Sequence, residues 1–294
     1  MEITWNSFGQ AEWELLADRA KAPMQQRWTY GAVHQALGGQ VHRAVLWNKG
    51  LPIALCQLVC RRIFGIADLA LASRGPLWLT DCNRPYALSL IRRSLPLPRL
   101  RIGLFTLTDP VKSLRLIPLM TPATHAVCDL PVMRENLHGK WRNALRKGER
   151  AGLVVQHTRC SATALDEILK RDADQQKQKS YRALPAAFNR AWHHLAPDDL
   201  WLFTACEQQR PIARALFLRH GNTASYHIAN TNARGRELSA QRLLLWRALG
   251  ELASGGIKRL DLGSIDTMNA PGLARFKLGA GASVCRYGPT VLAI

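Results

Sequence analysis

Along residues 11–38 apolar side chains recur at three- and four-residue intervals, the period of a helix, until Gly38-Gly39 stop the pattern. The period then shortens. Residues 41–47 and 51–60 are apolar, strand-like runs around Asn48-Lys49-Gly50, which predicts a β-hairpin. Residues 66–71, 76–79 and 99–107 read as further strands, with a helix over 85–94. Four prolines between Pro110 and Pro131 interrupt the pattern and place a junction there. The domains expected are residues 1–130 and 131–294.

The second half repeats the grammar. Residues 133–151 predict a helix with Met133, Leu137, Trp141, Leu145 and Gly148 on one stripe. A further helix is expected from Thr163, with Asp166 completing a capping box. After a Gln/Lys-rich stretch at 174–180, a helix follows over 186–195. Strands are expected at 200–206, 212–219 and 224–230. Ser239 is placed to cap a helix over 240–254 that Gly255-Gly256 end, and 259–262 reads as a strand. Each half runs helix, antiparallel hairpin, helix, strand, without a residue-level repeat.

Charge changes the picture. Forty Lys+Arg oppose 21 Asp+Glu, for a net charge of +19. Both halves share the excess, and Arg outnumbers Lys about three to one. Arg binds phosphate bidentately, so this balance points to a polyanionic partner. No apolar run approaches the roughly 20 residues of a membrane span, and no secretory signal is visible at the N-terminus. Seven scattered cysteines fit a reducing compartment, and the expected location is cytoplasmic. No CxxC pair, HExxH, GxSxG, GxxxxGK[ST] or GxGxxG occurs. Metal, triad, ATP and dinucleotide chemistries therefore lose their usual signatures, and neither a metal nor a bound cofactor is expected.

Two segments carry chemistry. In the first, Lys140, Arg142, Arg146, Lys147 and Arg150 share a helix with Glu149 as the one acid among them. Such a face repels itself unless a polyanion neutralises it. In the second, a strand runs into the polar loop Gly263-Ser264-Ile265-Asp266 and on to Arg275-Phe276-Lys277. Polar loops at strand ends are common places for sites. Read without a family, that triplet also fits a final strand with surface cations.

The stretches KWRNALRKGERAG (140–152), 226–239 and RLDLGSIDTMNAPGLARFKLGAG (259–281) resemble the FemABX branch of the GNAT-like acyltransferases. MQQRWTYG (24–31) and RGPLW (74–78) are similar to that family's first domain. The resemblance implies an α+β, mixed α/β architecture of tandem GNAT-like domains, each a mainly antiparallel mixed sheet flanked by helices. It also implies an enzyme that moves an aminoacyl group from aminoacyl-tRNA to an amine, with aminoacyl-tRNA and an amine-bearing acceptor as partners. Phe276 and Lys277 fall at the reacting ester, and Asp266, His227 and the substrate's own groups are all open as proton relays. Arg275, Tyr226, His227 and Ser264 are expected at the substrate, and Lys140, Arg142, Arg146, Lys147 and Arg150 on the tRNA. The alternative is an acyl-CoA donor. Its Q/R-x-x-G-x-G/A loop is poorly matched by 232–239, which holds one Gly and a Glu.

Overall fold

A computed structural model of the chain describes every residue except Phe64, Arg99 and Ile294. The first residue of the strand expected at 99–107 thus lies outside the described residues. Contacts divide the chain into two compact units, Met1–Ala123 with Arg286–Ile294, and Thr124–Cys285.

The first unit contains β1 (Glu2–Trp5), α1 (Gln10–Arg19), α2 (Trp28–Ala36), β2 (Gln40–Asn48), β3 (Leu51–Ile63), β4 (Ala67–Ala72), β5 (Leu77–Trp78), α3 (Arg84–Ser94), β6 (Leu100–Thr106) and β7 (Leu116–Met120). The hairpin turn holds Lys49 and Gly50 at φ 49° and 76°, the left-handed pair that suits the twist of its strands. The helical period at 11–38 is two helices, because Lys21 (φ 46°) and Pro23 break it before a 3₁₀ turn at Met24–Gln26. The proline-rich stretch is not empty of structure. Pro118 sits in β7, at the sheet edge, where a missing N–H costs no ladder bond.

The second unit contains β8 (Thr124–Asp129), α4 (Gly139–Arg150), β9 (Val154–Arg159), α5 (Ala162–Lys179), α6 (Ala186–Leu195), β10 (Leu200–Glu207), β11 (Arg210–His220), β12 (Thr223–Thr231), α7 (Ala233–Glu237), α8 (Ala240–Ser254), β13 (Arg259–Ser264), α9 (Pro271–Gly279) and β14 (Ser283–Arg286). The chain ends in β15 (Thr290–Ala293), which returns to the first sheet between β6 and β7. Where the sequence places one boundary at 130/131, the contacts divide at 123/124 and again near 285. The reason is strand pairing: β8 joins β13, and β15 joins β6 and β7.

Both sheets are mixed and mainly antiparallel, in the orders β1-β2-β3-β4-β6-β15-β7 (with β5 on β3) and β14-β8-β13-β12-β11-β10-β9. The parallel pairs are β4 with β6, reached through α3, and β12 with β13, reached through α8. The second unit's core joins Trp141 and Leu145 of α4, Leu244 and Leu249 of α8, and Phe203, Phe217 and Leu260 of the sheet. Among the described residues no helix is long and apolar enough to cross a membrane.

Local differences from the expected elements have identifiable causes. The helix expected from 133 begins only at Gly139, because Leu137 turns extended into the core and the His138 N–H donates to Gly279 O at 3.0 Å. Met133 is left exposed. The cap of α5 is Ser161, whose hydroxyl accepts from Ala164 N; Thr163 is already helical. That helix continues through the Gln/Lys-rich stretch, residues with good helix propensity. Ser239 does precede α8, but at φ 58° its hydroxyl makes no cap bond. Arg275, Phe276 and Lys277 lie on helix α9, not on a last strand.

Candidate active site

Strands β12 and β13 pair at three positions only, Thr223↔Arg259, Ala224↔Leu260 and Ser225↔Asp261. Both continue, to Thr231 and Ser264, so the sheet opens between them from Tyr226 onward. Two local features open it. Gly263 at φ 85° turns the end of β13. In β12, Phe217 faces Tyr226 while Leu216 faces Ile228, which leaves His227 as the extra residue of a bulge.

Helix α9 returns to this opening. The Phe276 ring lies 6.3 Å from the rings of Tyr226 and of Trp141, and Trp141 Nε1 donates to Phe276 O at 2.9 Å. Gly279 permits that approach, since a Cβ there would stand 2.7 Å from Trp141 Cδ1. The Arg242 guanidinium sits 5.8 Å above the Phe276 ring. Burial lowers its pKa, and its Nε has no acceptor among the described residues. Gln241 Nε2 donates to Tyr226 Oη at 2.9 Å, while its buried Oε1 accepts nothing.

Lys277 is buried on α9, 6% exposed. Its Nζ donates to Ser264 O at 2.8 Å and stands 3.2 Å from where a Gly263 Cβ would be. Burial pulls this ammonium below the ordinary lysine pKa, and Asp261 works against the shift. Asp261 is itself held by Gly263 N (2.7 Å) and His125 Nδ1 (3.0 Å). An ammonium has three N–H donors, and Ser264 O takes one. A buried cation at a break in a sheet is suited to holding negative charge that develops on a substrate oxygen.

The structure therefore brings together Lys277, Phe276, Tyr226 and Ser264. It does not bring in Asp266. That side chain is exposed and closes its own loop, accepting from Asn269 N (2.8 Å), Asn269 Nδ2 (2.8 Å) and Met268 N (3.0 Å). The Asn269 bonds, with Met268, hold its carboxyl below the usual range, and a turn-forming role replaces the expected proton relay. His227 points to the opposite face of the sheet from Tyr226, where Asn189 Oδ1 receives its Nε2 at 2.5 Å. Burial lowers its pKa to about 4, against the influence of Asp172. Arg275 is exposed on α9.

On α4, Glu149 is claimed by Arg134 in a bidentate pair (3.0 and 2.6 Å). Among the described residues none of Lys140, Arg142, Arg146, Lys147 and Arg150 forms an ion pair. Arg146, Lys147 and Arg150 line a pocket of about 460 Å³ with Asn143, Ala151 and Leu238. Lys140 and Arg142 lie outside that lining. Burial raises the thiols of Cys60 and Cys128 to about 12, which disfavours a thiolate at either.

Sequence reasoning missed Gln241, Arg242, His125 and Asp261. Asp261 had a signal, being the first of the two acids in the strand-end DLGxID motif. The other three had none: they reach the site from α8 and β8 only through the fold.

Comparison with known proteins fits this geometry. Residues 136–281 match the family model described as an acetyltransferase (GNAT) domain. The crystal structure of FemX superposes with a TM-score of 0.80 at 12% identity, over 100% of this chain and 98% of that one. A tandem GNAT protein from the clavulanic acid biosynthesis pathway gives 0.52 at 10%, over 100% and 98%. L-PGS from Bacillus licheniformis gives 0.52 at 11%, over 97% and 91%. No curated protein matches the sequence. The second unit thus carries a GNAT-type domain, and the fold of the whole chain is FemX-like.

Proposed function

We propose that this acyltransferase moves an aminoacyl group from aminoacyl-tRNA to the amine of an acceptor. The observation that carries the reading is the buried Lys277 ammonium beside Phe276, at the point where β12 and β13 part. The acceptor amine attacks the ester carbonyl, a C–N bond forms, and the C–O bond to the terminal ribose breaks. The proton lost by the amine ends on the released ribose oxygen. Lys277 holds the carbonyl oxygen as it becomes negative, and Phe276, backed by Trp141, forms the wall against which the terminal nucleotide rests. The ester is already activated, so positioning and oxyanion stabilisation suffice without a covalent enzyme intermediate. The cations of α4 contribute phosphate contacts.

Acyl-CoA as donor is favoured by the family model, which describes an acetyltransferase domain. The backbone between β12 and α8 counts against it. Asn232 Oδ1 takes the N–H of Gly235, Asn232 O that of Arg236, Arg234 O that of Leu238 and Arg236 O that of Ser239. Four of the amides that could cradle a pyrophosphate there are thus already used.

The test is incubation of the purified protein with tRNA charged with labelled amino acids, or with labelled acetyl-CoA, in the presence of an amine-containing cell extract. Label moving from tRNA into amide products, lost in Lys277→Ala, supports the reading. Transfer from acetyl-CoA alone would replace it with the CoA alternative.

A further inference from the structure

On the far face of the second sheet, α5 and α6 enclose a pocket of about 430 Å³. Most of its lining is apolar, including Leu169, Ala183 and Leu184. One acid stands in it, Asp172, which is 5% exposed. Neutral donors hold both its oxygens: Tyr181 Oη donates to Oδ1 at 2.8 Å and Gln176 Nε2 to Oδ2 at 2.6 Å. A carboxylate offers about four acceptor sites, so two are left over. Among the described residues no Lys or Arg comes within ion-pairing distance of it. Lys177 also lines the pocket, but from an exposed position. His227 behind it does not supply the charge either, since burial keeps that imidazole neutral above about pH 4. Buried charges are ordinarily paired because desolvating them alone is costly.

We propose that this pocket binds a small ligand bearing a primary ammonium on an apolar body, with Asp172 as the ammonium's partner. The inference goes beyond the transferase reading and does not depend on it, because the pocket's lining shares no residue with the Lys277 site. Its apolar wall takes the carbon skeleton, and the cation completes the free lone pairs of the carboxylate. The exposed Lys177 opposes a ligand cation weakly.

The experiment is an NMR titration of the full chain with n-butylammonium chloride and, separately, with its neutral counterpart 1-butanol, following the amides of residues 172–186. The ammonium should saturate these shifts at least tenfold more tightly than the alcohol. Asp172→Asn should reduce the ammonium to the affinity of the alcohol. Ala183→Trp should block both ligands by filling the pocket, and Lys177→Gln should tighten the ammonium about twofold. Equal affinity of the two ligands, absence of saturable shifts, or an unchanged affinity in a folded Asp172→Asn protein would overturn the proposal. Should Asp172→Asn fail to fold, the two-ligand comparison on the unaltered protein and the Ala183→Trp block still decide it. Charged tRNA is absent throughout, so failure here and failure of the transferase reading are separate results.

Discussion

The two units share an order of elements yet treat the same joint differently. In the first, the parallel strands β4 and β6 pair at six positions, from Ala67↔Leu100 to Ala72↔Phe105. In the second, the corresponding strands β12 and β13 pair at three and then part. Neither unit pairs every buried polar atom, since Trp5 Nε1 and Gln25 Oε1 of the first have no partner among the described residues, but one network of the first is complete. In the first unit Gln57 accepts from Arg43 Nε and donates to the carbonyls of Gln25 and Arg27. Gln26 donates to Gln57 O and Ser73 O and accepts from Gln57 N. That network is closed on itself. Around the opening of the second unit Arg242 Nε and Gln241 Oε1 have no partner among the described residues. A closed polar network fixes a conformation, whereas unfilled donors and acceptors beside a break in a sheet are capacity held for a ligand.

The sharpest way to break this contrast is to delete one member of each group. Gln57→Ala leaves Arg43 Nε and two carbonyls buried without partners, at about 1–3 kcal/mol each. The protein should lose most of its stability in denaturant unfolding. Lys277→Ala should instead lower kcat by about 10²–10³-fold with a nearly unchanged melting temperature, and Lys277→Arg should restore little, because a planar fork does not fit the place of a compact ammonium. The opposite assignment of effects would reverse the roles given to the two units.

A second prediction uses His227, whose pKa falls from an ordinary 6.5 to about 4 on folding. Between these values the unfolded chain binds the extra proton, so stability is fully present above pH 6.5 and is lost as pH falls toward 4. The loss attributable to this residue is about 3 kcal/mol. Urea unfolding at pH 7 and pH 4 should show it as the difference between the protein and His227→Gln; equal pH dependence in both would remove it. Gly263→Ala comes next. It places a Cβ at φ 85° and 3.2 Å from Lys277 Nζ, so it should cost about 1–3 kcal/mol and lower transfer as well. A loss of stability with full activity would show that Lys277 does not need this placement.

The smallest effect on folding is expected on α4. Replacing Arg142, Arg146 and Arg150 with Gln should leave the melting temperature almost unmoved, since exposed charges contribute little. The dependence of tRNA affinity on salt should flatten by roughly 0.7–0.9 log units per lost phosphate contact for each decade of salt. A slope that stays the same would assign the phosphate contacts to another surface.

Much of this protein was legible in its sequence because it is local. The Asn48-Lys49-Gly50 turn, the hairpins, the helix ending at Gly255-Gly256 and the apolar stripe of Trp141, Leu145 and Gly148 follow from periodicity and turn chemistry within a few residues. Lys277 and Phe276 were singled out by the resemblance of the RFKxGxG segment to a family, whereas its local pattern also fitted a last strand and the segment is helix α9. What periodicity does not encode is which strand finds which neighbour. The return of β15 to the first sheet, and of β8 to β13, depends on pairings between residues far apart in the chain, and these moved the expected boundary. The same holds for side chains that serve the site. Sequence reasoning chose Asp266 and passed over Asp261 of the same motif, but the first closes an exposed turn and the second stands against His125 and Lys277. Their difference comes from burial, which only the tertiary structure decides, because desolvation depends on what packs around a group and not on its place in the sequence.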